Sequence, residues 1–261
     1  MRFVRTCVAI PLSLALAISV LSQQTATTLL QQSLAALNGG QPITDVTLSG
    51  NARRIAGSDD ESGSATFKAL AAGAARMDLS LSMGQRSEIV NLTGPTPAGS
   101  WSGPDGVSHG MAYHNLLIDP SWFFPAFPIS RGLSSSGYTA AYVAQETRNG
   151  QSVQHVQVQV WQVSTVQTPA GTPTMQHLSQ MDFFLDATTL LPAAIAFNIH
   201  PDNNAGIDLP VEVQFSDYHA VSGAQVPFHI EKFLNNSLLL DLQFTSAQLN
   251  SGLSASLFNV Q

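Results

Sequence analysis

The chain is poor in charge. Only 10 % of its 261 residues are Asp, Glu, Lys or Arg, against the roughly one quarter usual in globular proteins. Lysine is reduced to Lys68 and Lys232, and 17 acidic against 10 basic side chains leave a formal charge of −7. Such a surface has no basic stripe with which to displace counterions, which excludes a nucleic-acid partner. A disordered polyampholyte and a coiled coil are excluded for want of charge. Cysteine is limited to Cys7, inside a segment expected to be removed, so no disulfide, thiolate nucleophile or cysteine metal site is expected in the processed chain. No apolar run beyond that segment reaches the ~20 residues a bilayer span requires.

Residues 1–22 have the layout of a secretory signal peptide. Arg2 and Arg5 come first, an apolar stretch runs from Val8 to Leu21, and Val20 and Ser22 stand where a signal peptidase reads. Cleavage is expected before Gln23, giving an exported protein of the periplasm or extracellular space and a charge of −9 once Arg2 and Arg5 are lost. Residues 23–261 show no linker and no repeat, and read as one domain.

A helix is expected first, with Thr28 and Gln31 as a capping box, Leu30, Leu34 and Leu37 on one stripe, and Gly39-Gly40 as its end. After it, period two dominates. Met77, Leu79, Leu81 and Met83 alternate with polar residues, as do Val156, Val158 and Val160, then Val211, Val213 and Phe215, then Leu238, Leu240, Leu242 and Phe244. Alternation of this kind predicts antiparallel strands with one apolar face. Asn149-Gly150 predicts a two-residue hairpin turn, and ten to twelve strands are expected.

A non-strand stretch, Met111–Phe127, interrupts the pattern. It holds a short helix at Leu116, Leu117 and Ile118 ending at Asp119-Pro120, then Trp122, Phe123, Phe124 and Phe127 around Pro125. So many apolar sheet faces must be covered. The expected fold class is α+β, mostly antiparallel β: a strongly curved sheet, or half-open barrel, covered by a few helices. An apolar cavity is expected between sheet and cover.

The C-terminal third runs Phe215-Ser216-Asp217-Tyr218, a turn at Gly223, Val226-Pro227, and a last long strand followed by Phe258; earlier, Phe184-Leu185-Asp186 leads to Leu191-Pro192. This order of strands and turns resembles the periplasmic lipoprotein-carrier (LolA-like) superfamily and its lipid-binding relatives. The resemblance implies a helix-lidded half-barrel whose interior holds acyl chains, and a binding or carrying role without catalysis or cofactor. The Met111–Phe127 insertion and the low charge depart from the carrier itself, and no functional residue is transferred.

Each hint of hidden chemistry in the chain has a plainer rival. Gly106-Val107-Ser108-His109-Gly110 matches the nucleophile elbow G-x-S-x-G, which makes Ser108 the basis of a distant serine-hydrolase alternative. The elbow needs a strand–turn–helix context absent here, so a hairpin loop is the better reading. The histidines show no metal-ligand spacing, His114 beside the aromatics being the one of interest. The loop His200–Asp208 lacks the spacing of a calcium loop, and no metal is expected. The expected ligand is a hydrophobic small molecule or lipid held by Leu117, Trp122, Phe123, Phe124, Phe127, Met77, Leu79, Leu81, Leu240 and Leu242. An envelope protein docking on the sheet is the alternative partner.

Overall fold

The computed structural model describes residues 13–135, 137–160 and 172–260, with side chains from residue 25 onward except those of Val160, Thr172 and Pro173. The expected signal segment lies largely outside these residues, although Ser13–Ser22 are helical and run without a break into the expected opening helix. Helix α1 spans Ser13–Asn38. Thr28 is therefore interior to the helix, not its cap, because the apolar stripe begins upstream at Ala26 and continues through Leu30 and Leu37. The end falls as expected. Gly39 has φ +60, and a Cβ there would lie 2.4 Å from the Gly223 carbonyl oxygen, so only glycine fits.

Among the described residues thirteen strands come after α1, one more than the upper expectation. They are β1 Asp45–Ala56, β2 Asp59–Leu70, β3 Ala74–Leu81, β4 Gly84–Asn91, β5 Ala98–Ser102, β6 Ser108–Gly110 and β7 Tyr138–Arg148. Then come β8 Gln151–Val160, β9 Gln180–Asp186, β10 Pro192–Ile199, β11 Leu209–Val221, β12 Ala224–Leu234 and β13 Ser237–Leu249. The short β5 and β6 escape a period-two search. All pair antiparallel in one sheet of order β6-β5-β4-β3-β2-β1-β13-β12-β11-β10-β9-β8-β7. Two-residue turns with positive φ at both positions close the hairpins at Asn149-Gly150, Ser222-Gly223 and Asn235-Asn236.

This order dictates the cover. β6 and β7 are consecutive along the chain yet form opposite edges of the sheet, so residues 111–137 must cross it. The crossing holds a 3-10 helix, Tyr113–Leu117, and helix α2, Ala126–Ser134. α2 is a correction to the sequence reading: Pro125 and Pro128 look like breakers, but they occupy the N-cap and first turn, where no intrahelical N–H is needed. A third helix, α3 Thr172–Leu178, was also unforeseen.

The sheet is strongly curved. Glu88 and Val90 of β4 line the same cavity as Phe197 and Ile199 of β10, although six strands lie between β4 and β10. At about 4.8 Å per strand, a flat sheet would hold them more than ~30 Å apart. The concave side holds the main core, where Phe67 meets Trp122, Phe123 and Phe244 with ring centroids at 6.0, 5.0 and 5.8 Å. α1 and α2 pack on each other and on β7 and β8. Arg131 of α2 ties the cover down. It pairs with Asp119 and donates to the carbonyls of Leu70 and Ala71 at the end of β2.

Candidate functional site

Strand register decides which side chains face inward. One row crosses five strands as Leu48, Phe67, Met77, Glu88 and Trp101. A second crosses Glu61, Arg54, Leu240, Lys232, Val213, Ile195, Phe183 and Val156. Most members are fully buried core, yet Arg54, Glu61, Glu88 and Lys232 share their face.

A cavity of about 270 Å³ opens between these rows. It is lined by apolar Phe67, Met77, Leu79, Trp122, Leu239 and Leu240, and by Arg54, Arg86, Glu88 and Lys232. A bulge helps to shape it: Lys232 pairs with Leu240 and Phe233 with Leu238, so Leu239 is the extra residue in β13. A second cavity, about 200 Å³, lies beneath the crossing segment against Met111, Ile118, Pro120 and Phe197. The two share Glu88, Trp101, Trp122 and Lys232 as a common wall.

The charges within are unevenly partnered. Glu61 is fully buried, and its Oε1 accepts from Arg54 Nη1 at 2.9 Å and Arg86 Nη2 at 2.6 Å. Its Oε2 and the Arg86 Nε have no partner among the described residues. Lys232 rests its ammonium 4.3 Å from the centre of the Trp122 ring, a cation–π contact. Burial pushes the Lys232 ammonium down from its usual range, while the Glu88 carboxylate pulls the other way. Burial likewise pushes the Glu88 carboxyl up, opposed by Lys232. Both side chains are partly exposed along the cavity walls.

Comparison with solved structures places this architecture. A LolA superfamily protein from Nitrosomonas europaea superposes with a TM-score of 0.55 at 10 % identity, over 90 % of this chain and 97 % of the other. The fold is LolA-like. A domain from Vibrio parahaemolyticus named for outer membrane lipoprotein sorting matches with a TM-score of 0.55 at 12 % identity, over 91 % of this chain and 97 % of that one. A DUF1329 family protein from Desulfovibrio piger matches at 0.56 and 9 % identity, over 92 % and 99 %. No protein-family model matches the chain, and no curated protein matches its sequence.

The LolA-like half-barrel separates the residues singled out from the sequence. Met77, Leu79, Trp122 and Leu240 line the larger cavity together. Phe123, Phe124 and Phe127 are no more than 2 % exposed, and with Leu81 and Leu242 they belong to the main core cluster and line neither of the two cavities. Leu117 is turned toward a narrow crevice beside α2. Sequence reading missed Arg54, Arg86, Glu88 and Lys232. The signal was available: counting by twos puts Arg86 and Glu88 on the Val90 face of β4, and Lys232 on the Ile230 face of β12.

The remaining motifs resolve as local structure. Ser108 opens the exposed edge strand β6 after a turn, and does not stand at a turn from a buried strand into a helix as a nucleophile elbow requires. His109 stacks on Trp101 with centroids 4.3 Å apart. His114 Nε2 lies 3.1 Å from the Pro201 carbonyl, pinning the 3-10 helix to the loop after β10. In that loop Asp202 accepts from the Ala112 amide, while Asp208 pairs with His177 at 2.9 Å, so its carboxylates are drawn apart. His155 and His229 stand on the outer face, where His155 pairs with Asp182 and His229 bridges Ser216 and Asp241. Among the described residues no group of three or more His, Cys, Asp or Glu could hold a metal. No described helix is long and apolar enough to cross a membrane.

Proposed function

We propose that this protein is an exported binder or carrier of a hydrophobic ligand in the cell envelope, working by burial without catalysis. The observation that carries the reading is the cavity on the concave face, walled by Met77, Leu79, Trp122 and Leu240. The two cavities together fall at the low end of the roughly 300–1,000 Å³ typical of small-molecule sites. Each methylene moved from water into such a wall contributes about 0.8 kcal/mol, so one acyl chain suffices for useful affinity. The LolA-like fold and the leader-like residues 1–22 support export and an envelope role. One processed domain, 23–261, would carry the whole function. Of the ten apolar residues proposed from sequence, the four at the cavity are the expected contacts, while five belong to the core and Leu117 lines the crevice beside α2.

Native mass spectrometry of protein purified from an envelope fraction tests this. The expected result is a one-to-one adduct that organic extraction identifies as a lipid or acyl compound. Lipid-free protein that co-purifies instead with a stoichiometric protein partner would replace this reading with that of an envelope interaction module.

A further inference from the structure

The cavity is greasy on one side and cationic on the other, in a protein that is acidic as a whole. Three of its ten lysines and arginines, Arg54, Arg86 and Lys232, line this one space. Glu61, the carboxylate beneath, is engaged by both guanidinium groups. Lys232 is different. Its ammonium has the face of Trp122 and no hydrogen bond or ion pair among the described residues. It stands where the two cavities meet, with the apolar walls of Met77, Leu79 and Leu240 on one side and of Ile118 and Phe197 on the other.

A cation drawn partly out of water against apolar walls is costly unless something compensates it. An aromatic face offsets only part of that cost. Replacing Lys232 by an apolar residue would restore a continuous core row through Leu240 and Val213, so packing alone gives no reason for a charge here. Glu88 acts on the ammonium through its charge but makes no ion pair with it among the described residues, so the contact left open is one for an anion, arriving with apolar substance to fill the adjoining walls. We propose that the ligand is a single-chain amphiphile with an anionic head, a carboxylate or phosphate, whose head sits on Lys232 while its chain lies along Met77, Leu79 and Leu240. Burial pushes the Glu88 carboxyl on the same wall up, which lessens its charge against an anionic head, while Lys232 opposes that shift.

This inference rests on the hydrophobic-carrier reading and refines it, so its test must separate the two. Delipidated full-length exported protein is titrated with palmitate, hexadecanol and hexadecylamine, which share a chain and differ in head, and with acetate and inorganic phosphate, which lack the chain. Palmitate is expected to bind on the order of tenfold or more tighter than hexadecanol, as one charge-assisted hydrogen bond predicts, with no measurable binding of acetate or phosphate. In Lys232→Met, which keeps the stem over Trp122, the preference for palmitate over hexadecanol should vanish; Lys232→Arg should restore it. Equal binding of palmitate and hexadecanol, tighter binding of the amine, or a preference that survives Lys232→Met would overturn the anionic-head assignment and leave the carrier reading standing. Phosphate binding as tight as palmitate would overturn it too. Failure of every C16 compound to bind would defeat both.

Discussion

Single residues decide how the cover is fixed and how the interior is charged. Arg131 and Asp119 are mostly buried, with 15 % and 12 % of their side chains exposed. Together they join α2, the turn at Ser121 and the end of β2 through one guanidinium. Removing either partner leaves an uncompensated buried charge, which costs about 3–5 kcal/mol. Arg131→Met is therefore expected to lower unfolding stability by that amount. The double variant Asp119→Asn, Arg131→Met should recover part of it, as denaturant titration will show. An isolated surface pair would cost less than ~1 kcal/mol. At this scale the sequence was least legible. Arg86, Glu88 and Lys232 were passed over because charged residues in alternating strands are ordinarily on the wet face. Their parity with Val90 and Ile230 was in plain view, but only the pairing of Glu88 with Met77 and of Lys232 with Leu240 shows both on the concave wall.

At the scale of elements, strands were legible and their cover only half so. β3, β8, β11 and β13 announce themselves by alternation, and Asn149-Gly150 gives its hairpin away through its positive φ values. The Met111–Phe127 stretch was recognisable as non-strand. Its continuation into α2 was not, because Pro125, Pro128 and Gly132 mask a helix whose first turn needs no donors. The aromatic run divides for a reason that no local pattern reveals: Trp122 faces the cavity wall while Phe123, Phe124 and Phe127 go into the core. Another tether joins β1 to the segment after β13. Asp45, at the start of β1, accepts from the amide and hydroxyl of Ser251, the Gly252 amide and the Thr44 hydroxyl. Burial pushes its carboxyl up, but the Ser251, Gly252 and Thr44 donors outweigh this and hold it below the usual carboxylate range. A carboxyl depressed in the fold stabilises above its unfolded value, near pH 4, and that contribution is lost as pH falls through the folded value. Asp45→Asn should thus cost about 1–3 kcal/mol at neutral pH. The gap to the parent protein should close on acidification below about pH 4, measured by unfolding at a series of pH values.

For the whole molecule, one topological fact organises the rest. Strands consecutive in the chain, β6 and β7, form opposite margins of a thirteen-stranded sheet, so the connection has to bridge the concave side and roof it. Curvature brings β4 within reach of β10, and the roof does not fill the space beneath it. Alternating apolar strand faces and scarcity of charge foretold a buried apolar interior. They could not foretell that it would carry cations, since that depends on which strands meet across the curve. A carrier role requires that the ligand reside in the larger cavity. Leu79 is half-buried on its wall, so Leu79→Trp should occupy the space with little strain on the core. Titration of delipidated Leu79→Trp with a C16 fatty acid is the most direct test: a native-like melting temperature with affinity lowered at least about tenfold is expected, whereas a folded variant that binds the fatty acid as tightly as the parent protein would contradict residence in that cavity.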